Sequence, residues 1–500
     1  MHIKTILRKY WAELVLGAMI LVYIIYFSWF TILRYQTLYA HYFDLGIMHQ
    51  TVYNTFMSLK TGDFSRFLEL TNPHGFDQVK RMAIHNDIFL ALLAPFYFIY
   101  SGPETLLIIQ SVAVGLGALA VYGIGIIIFE KMHGSKLISI FFSFAYLMYP
   151  ALQRANQFDF HAVVLATPLL LFMYYFYLKN KYVESSLYAL GALLTKEQVG
   201  LTLAFFGLFM VFMATKQIRH KEIKKPEFLF AGSLIFVGIG WFIFSMTYII
   251  PNFRQGVHFA LTYFGDFGDS PQGVIVGLLK NPPLVLQLLF KKETFTYLIN
   301  IFGPLGFLSF FSPLYLIIAA PEFAINMLSK SEAMRNIYYH YTAVTTPFVV
   351  ISSMYGYEKL LYIMRKAPYH FKLVNLYCLL CVLLFSYYIS PLPYSKTPEV
   401  HPILYPAKER FEAFKWQKIV ADEKIKVMAS GHIGPVFSSR RFFYNLSDRY
   451  DLADYIVLSR DEVYNGYESE KAIVTYEKLI KDMKYSQIYK SGSFEVFKKI

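Results

Sequence analysis

The sequence has few charged residues and almost no cysteine. Asp, Glu, Lys and Arg make up 16% of its 500 residues, whereas a soluble domain typically contains about 25%. The two cysteines, Cys378 and Cys381, lie within the apolar run "YCLLCVLL" and have no second pair nearby. They therefore predict neither a disulfide framework nor a zinc or redox site, and the composition excludes an ordinary soluble domain.

Common catalytic signatures are missing as well. No P-loop, dinucleotide-binding, zinc or serine-hydrolase motif occurs in a credible context, and "GHIG" at 431–434 is too degenerate to predict a phosphate loop. No internal repeat is evident, which disfavours the inverted-repeat transporter folds. The net charge of +13 does not predict a nucleic-acid partner, because much of the excess lies in short basic loops of the kind that set membrane topology.

Long apolar runs are what the sequence does contain. Hydrophobic residues make up 56% of the chain and aromatic residues 19%. Runs of about 20 residues are long enough to cross a hydrocarbon layer of about 30 Å as helices. We therefore predict an all-α polytopic membrane protein with about eleven transmembrane helices, near 13–33, 104–129, 135–150, 162–178, 183–194, 199–214, 227–249, 296–311, 314–328, 341–361 and 372–390.

Basic loops predict how these helices are oriented. The first run follows Lys4, Arg8 and Lys9 and lacks a small-x-small cleavage site, so it is interpreted as a retained signal anchor. The segments "KMHGSK" (131–136), "KNK" (179–181), "KQIRHKEIKK" (216–225) and "RKAPYHFK" (365–372) are placed in the cytoplasm. The prediction is a multi-pass protein of the cytoplasmic membrane with a cytoplasmic amino terminus and an extracytoplasmic carboxyl end.

Three pieces of the chain are predicted outside the membrane. They are a first outer loop (34–103), a middle outer loop (250–295) and a tail (394–500), so the transmembrane domain covers 1–393. Within the first loop, 85–100 is too short to span comfortably and is interpreted as a helix in the membrane interface. Strand-length runs at 425–430, 441–446, 454–459 and 494–499, with an amphipathic helix at 468–483, predict a small α/β domain in the tail.

Ionisable residues cluster at five turns on the outer side of this topology. They are Asp44; Arg81, His85 and Asp87; Arg154, Asp159 and His161; Lys196 and Glu197; and Arg335 and His340. Ionisable groups near a bilayer usually face a protein interior or a water-filled cavity. Each residue taken singly is more commonly an interfacial anchor, a helix cap or a snorkelling side chain. Taken together, the five turns predict a polar cavity at the outer leaflet.

The residue types in this cavity suit sugar transfer from a lipid-phosphate donor. An acid beside an acceptor hydroxyl can serve as a general base, and cationic groups opposite it can stabilise a departing phosphate. The isoprenoid tail of such a donor would lie in the bilayer while its head group reached the outer surface. A site for a soluble nucleotide sugar is expected to face the cytoplasm instead.

Several blocks resemble a known family. They are "YFDLGIMHQTVYNT" (42–55), "HNDIFLALLAPFYFIYSGPETLLIIQSVAVGLGALAVYGIG" (85–125), "QFDFHAVVLATPLLL" (157–171), "LLTKEQVGLTLA" (193–204), "YHYTAVTTPFVV" (339–350) and "ADYIVLSRDE" (453–462). They are similar to the signature blocks of a prokaryotic family of predicted membrane proteins, domain of unknown function 2079. That family is grouped with the C-type glycosyltransferase (GT-C) fold, and the resemblance covers nearly the whole chain.

The resemblance implies a role for Asp44. Characterised C-type transferases use polyprenyl-phosphate sugars, carry an essential acid in the first outer loop, and often have a soluble domain at the carboxyl end. By motif position Asp44 would be the catalytic base, and His85 would begin the juxtamembrane helix. The sequence departs from the family pattern at "HNDI", where Asp87 is interpreted as a second acid, a metal ligand or a cap of the first helical turn. No metal is assigned, and a need for a divalent cation such as Mg²⁺ or Mn²⁺ is left open.

The leading hypothesis is therefore a membrane glycosyltransferase with a polyprenyl-phosphate donor and a lipid, glycan or protein acceptor. It assigns Arg81, His85, Lys196 and either Arg335 or His340 to binding the donor phosphate. Glu197 would orient Lys196. Asp87 and Asp159 are further candidates for a second acid or a metal ligand. A second hypothesis is a transporter or flippase for a lipid-linked or anionic solute, which would place coupling charges near the bilayer midplane. A third is a structural or sensory protein whose tail binds an outside partner.

Overall fold

The computed structural model describes residues 2–73, 75–217, 225–466 and 469–500. The predicted cytoplasmic segment 216–225 lies largely outside these residues. In the described part, four helices are long and apolar enough to cross a membrane, namely Lys9–Gln36, Glu104–Ile128, Lys225–Arg254 and His370–Ile389. Ser135–Leu147 and Pro150–Gln157, bent by 44°, would together make a fifth. The predicted count of about eleven spans is not confirmed.

The short length of several helices explains why fewer membrane-length helices are described than the sequence predicts. Several predicted spans are short helices or helices interrupted by 3₁₀ turns, so they fall below the length of about 20 residues that a straight span needs. The region 296–328, for example, contains 3₁₀ segments between Gly303 and Ala319. The other described α-helices of at least eight residues before the tail are Ile47–Thr61, Ala166–Leu178, Tyr182–Leu193, Val199–Gln217, Pro271–Lys280, Pro282–Leu289, Lys292–Phe302, Ala320–Leu328 and Thr346–Met364.

The segment predicted to lie in the membrane interface is helical but short. Residues Ile88–Phe98 form a 3₁₀ helix of 11 residues with Pro95 inside it. Leu92, Phe96 and Phe98 are about half exposed while Leu90 and Leu93 are buried. A one-sided apolar surface of this length suits a segment lying along a bilayer rather than crossing it.

The tail contains a five-stranded mixed sheet. The strand order is Phe443–Asn445, Val427–Ala429, Tyr455–Ser459, Phe494–Lys499 and Tyr485–Ser491. The first three strands are parallel and the last two pair antiparallel. Four of these strands lie where the sequence predicts them, and Ser469–Leu479 is the amphipathic helix. The edge strand Tyr485–Ser491 is an addition, since its mostly exposed residues give no apolar pattern.

The tail packs directly against the first loop. Tyr42 and Val52 of the first loop share one buried hydrophobic cluster with Phe443 and Val457 of the tail. The backbone N–H of Tyr42 donates to the carbonyl of Gly431 (2.9 Å). Further contacts across this boundary are the amide of Gln50 to the carbonyls of Arg440 and Arg441, and the ion pairs Arg66–Glu423 (2.9 Å) and Arg441–Glu69 (2.8 Å). The two segments form one folded unit, which places the tail beside Asp44.

Candidate functional site

Asp44 lies on a short π-helix, Tyr42–Gly46, that follows the first long helix. His41 caps this helix, because its Nδ1 accepts the N–H of Phe43 (3.2 Å). The backbone N–H of His41 donates to Oδ2 of Asp159 (3.0 Å). The side chain of Asp44 remains 26% exposed. The acid is therefore held on a fixed backbone and is still accessible.

His161 contacts Asp44 from a second turn. Its Nε2 lies 3.2 Å from Oδ1 of Asp44. A carboxylate can only accept, so Nε2 of His161 is the donor in this contact. The ring stacks on His340 with centroids 3.8 Å apart and on Phe158 at 5.8 Å. Burial lowers the pKa of His340 well below its usual value, so this neighbouring ring is neutral.

The turn that carries His161 is fixed by Gln110 of the helix Glu104–Ile128. The amide nitrogen of Gln110 donates to the carbonyls of Asn156 and Asp159 (3.0 Å each), and its oxygen accepts the N–H of His161 (2.9 Å). Asp159 has a φ of +54°, a left-handed conformation that Asp tolerates better than most residues. The carboxylate of Asp159 faces the His41 N–H and Arg34 (3.9 Å), and burial raises its pKa to about 6.

Glu197 is the centre of a second cluster. Its Oε1 lies 2.9 Å from Nδ1 of His85 and 3.3 Å from Nε2 of His258, and its Oε2 accepts the N–H of Asn86 (3.0 Å). Burial alone would favour the neutral acid, but the two imidazoles hold the pKa of Glu197 well below its usual value. Burial lowers the pKa of His85 to about 3. The pair is thus a carboxylate that accepts a hydrogen from a neutral imidazole.

The same three residues are a candidate metal site. The ligand atoms of His85, Glu197 and His258 lie within 4.8 Å of one another. However, Nδ1 of His258 accepts the N–H of Ala260 (2.9 Å), which places a hydrogen on Nε2, the atom that lies 3.3 Å from Oε1 of Glu197. Two imidazoles and one carboxylate also suit Zn²⁺ better than the oxygen-preferring Mg²⁺. The arrangement does not fit Mg²⁺ or Mn²⁺, and no chemical step is assigned to a metal.

Arg81 and Asp87 form a buried ion pair. Nε and Nη2 of Arg81 donate to both oxygens of Asp87 at 2.8–3.0 Å. The two side chains are 1% and 4% exposed. Burial raises the pKa of Asp87 although Arg81 opposes this shift. Each group is therefore the main partner of the other.

Lys196 differs from Arg81 and His85 because it has no ion pair with any described residue. In the described part of the chain, no carboxylate lies within ion-pair distance of its ammonium group. The residue is half-buried between Thr195 and Glu197, in the tight turn that joins the helices Tyr182–Leu193 and Val199–Gln217. A half-buried, unpaired ammonium group is suited to binding an anion.

One cavity of about 580 Å³ collects most of these groups. The predicted residues that line it are Asp44, Arg81, His85, Asp87, His161, Lys196, Glu197 and His340. Asp159 and Arg335 are not among its lining residues. Arg335 instead donates through Nη1 to the carbonyls of Ser329 (2.5 Å) and Met327 (3.2 Å) at the end of the helix Ala320–Leu328.

Apolar side chains also line the cavity, and we call this set the apolar wall. Three helices build it, Lys225–Phe244 with its extension, Pro271–Lys280 and Ala320–Leu328. Their contributions are Phe242, Met246, Val274, Ile275, Leu278, Ala324, Ile325 and Leu328. Charged side chains and an apolar wall in one cavity suit an amphipathic ligand.

His258 also lines the cavity and was not anticipated from the sequence. It comes from the middle loop, where "RQGVHFALTYF" (254–264) shows no metal-ligand or catalytic spacing. A single histidine of this kind gives no local signal. Its partner Glu197 is distant in sequence, and only the fold brings the two together.

The chain is similar to solved structures of other proteins. ArnT from Cupriavidus metallidurans, solved bound to undecaprenyl phosphate, is 13% identical with a TM-score of 0.55, over 98% of both chains. The oligosaccharyltransferase of Archaeoglobus fulgidus, solved tethered with an acceptor peptide, is 12% identical with a TM-score of 0.49, over 98% of this chain and 74% of that one. No curated protein matches the chain. At these identities the likeness to ArnT shows the fold alone, which is the GT-C fold.

The family follows from the sequence match. The model of the family described as "Predicted membrane protein (DUF2079)" matches residues 34–496. The chain belongs to this family, as its sequence blocks indicated. It is a membrane protein of GT-C fold with several apolar helices.

Proposed function

We propose that the chain is a glycosyltransferase that moves a sugar from a polyprenyl-phosphate donor to an acceptor outside the cytoplasm. The observation that carries this proposal is that Asp44, the unpaired Lys196 and an apolar wall share one cavity. A base, an anion-binding group and a lipid-sized apolar surface are the three requirements of this reaction. The undecaprenyl phosphate bound to ArnT supports the choice of donor.

In this proposal the donor lies across the cavity. Its isoprenoid chain follows the apolar wall, and its phosphate meets Lys196, with His85 and His340 as neighbouring hydrogen-bonding groups. As the bond between the sugar and the phosphate oxygen breaks, polyprenyl phosphate leaves with the electron pair and gains negative charge. A fixed ammonium group stabilises that charge where water is excluded.

Asp44 activates the acceptor in the same proposal. Oδ1 is occupied by His161, which leaves Oδ2 to accept the hydrogen of an acceptor hydroxyl or amide. The proton moves to Asp44 while the acceptor atom bonds to the anomeric carbon. The proposed location is the cytoplasmic membrane, with the cavity, the first loop and the tail on the extracytoplasmic side, and the acceptor is a lipid, a glycan or a protein.

A proteoliposome experiment separates this function from a transporter or flippase. Labelled polyprenyl-phosphate sugar is added to the outer leaflet alone of sealed vesicles, together with an envelope extract as acceptor source. A transferase releases polyprenyl phosphate and forms a new labelled conjugate, whereas a flippase moves the intact donor between leaflets. Movement of intact donor without release would favour the transporter.

Replacing Lys196 should weaken donor binding. We expect Lys196→Met to raise the KM for the donor by about 10–100-fold, since a hydrogen bond or ion pair to a charged group typically contributes about 1.5–3 kcal/mol. Initial rates at varied donor concentration measure the effect. Lys181→Met, which removes an exposed lysine paired with Glu184, is the matched control and should leave KM unchanged. An unchanged KM in Lys196→Met would remove Lys196 from the donor site.

His161 should act by orienting Asp44. His161→Gln keeps an N–H near the position of Nε2, so it should retain most of the activity. His161→Leu removes the donor, and we expect kcat to fall by about 10–100-fold, as for the loss of one hydrogen bond to a charged group, while the donor KM stays constant. Steady-state kinetics of the two variants measure the split. Equal losses in both variants would contradict an orienting role.

A further inference from the structure

The start of the tail carries exposed apolar side chains that no other part of the described chain covers. Leu404, Tyr405 and Phe411 are 59%, 65% and 69% exposed. Leu404 ends a short helix, His401–Leu404, which Tyr405 caps, and Phe411 lies in the first turn of the helix Arg410–Ile419. We call the segment 403–411 the apolar strip. Large side chains this exposed and this close together mark an interaction surface.

Two hydrogen bonds tie the apolar strip to the end of the first membrane-length helix. The hydroxyl of Tyr39 donates to the carbonyl of Tyr405 (2.8 Å), and the N–H of Ala407 donates to the carbonyl of Thr37 (3.3 Å). Residues 37–39 directly follow Gln36, the last residue of the first membrane-length helix. The strip is therefore tied to the chain within three residues of a helix end.

A second helix end lies close to the same segment. The membrane-length helix His370–Ile389 leads into it. Arg154 donates both to the carbonyl of Ile389 (3.1 Å) and to the carbonyl of Thr397 (2.8 Å), which holds the intervening chain near that end. The ends of two membrane-length helices are thus tied by hydrogen bonds to the strip or to the segment that leads into it.

The acidic and the basic side chains in and next to the strip have different surroundings. The carboxylate of Glu409 accepts from Ser459 and Ser493 of the tail, and that of Glu412 accepts from Tyr489. Both acids therefore face the sheet. Lys408 is exposed and, among the described residues, pairs with no carboxylate, while the guanidinium of Arg410 lies over the ring of Phe411 at 4.2 Å.

We infer that the apolar strip docks on the membrane surface, with Leu404, Tyr405 and Phe411 in the interface and Lys408 and Arg410 at lipid phosphates. Apolar and aromatic side chains with flanking cations are the composition of interfacial membrane segments. The inference does not depend on the proposed reaction. Its consequence is that the tail, which packs against the first loop, holds Asp44 at a fixed height above the bilayer.

Spin labels test the docking on the full-length protein in lipid nanodiscs. In a Cys378→Ala, Cys381→Ala background, single labels are placed at Leu404→Cys and Phe411→Cys. Leu384→Cys, exposed on the helix His370–Ile389, is the reference for the bilayer, and Ile488→Cys, exposed on the edge strand of the tail, is the reference for water. Power saturation compares the accessibility of each label to oxygen and to a water-soluble nickel chelate.

We expect both labels in the strip to favour oxygen over the nickel chelate by at least about threefold relative to Ile488→Cys, because oxygen concentrates in the bilayer and the charged chelate is excluded from it. Labels at 404 and 411 that match Ile488→Cys would overturn the inference. Two strip positions are labelled because one substitution could impair folding, which thermal unfolding would detect. The label at the other position then tests the inference.

Discussion

Asp44→Asn is expected to stay folded and inserted while losing at least about 100-fold in kcat, the lower end of what one general base contributes. The amide is nearly isosteric with the carboxylate and can still accept the N–H of His161 through its oxygen. It cannot take a proton from the acceptor. Initial rates of polyprenyl-phosphate release at saturating donor measure the loss.

Asp77→Asn is the matched control for this variant. Asp77 is an exposed acid in the same loop and does not line the cavity. Its substitution should leave both kcat and KM unchanged. Full activity in Asp44→Asn, in protein with wild-type thermal unfolding, would contradict the assignment of Asp44 as the base.

The second large effect is expected from Asp87→Ala, on stability. Removing the carboxylate leaves the guanidinium of Arg81 buried without its counter-ion, which typically costs about 3–5 kcal/mol. Hydrogen exchange of the amides between residues 80 and 88 measures this local cost. We expect these amides to lose protection while the amides of the long helices are unaffected.

A double variant distinguishes a structural role of Asp87 from a catalytic role. Replacing both partners, as in Arg81→Met with Asp87→Leu, removes the two charges together and should restore most of the protection, because an apolar pair can replace a buried ion pair at little cost. Normal protection in Asp87→Ala, together with lost turnover, would contradict the structural role and favour Asp87 as a second acid.

The sequence could place the site residues that lie at helix ends. Asp44, Lys196 and Glu197 follow or join apolar runs, so hydropathy alone assigned them to one end of the helix bundle, and the structure brings them to one cavity. The family resemblance was also sufficient to predict the GT-C fold. These inferences rest on local patterns that a membrane environment imposes on sequence.

Long-range contacts could not be predicted in the same way. The pairing of Tyr42 with Gly431, and of Glu197 with His258, joins residues that share no local pattern. The sequence also could not tell Arg335, whose guanidinium binds helix carbonyls, from Lys196, whose ammonium group is unpaired. The predicted helix count is not confirmed, because several of the predicted spans are helices shorter than a straight span needs.

Mass spectrometry of lipids tests the central claim most directly. Purified wild-type and Asp44→Asn protein are incubated with a panel of polyprenyl-phosphate sugars and an envelope extract, and free polyprenyl phosphate and new sugar conjugates are quantified. The account predicts that only the wild type releases polyprenyl phosphate from at least one donor and that the sugar appears on a new product. Folded wild-type protein that releases polyprenyl phosphate from no donor would contradict it.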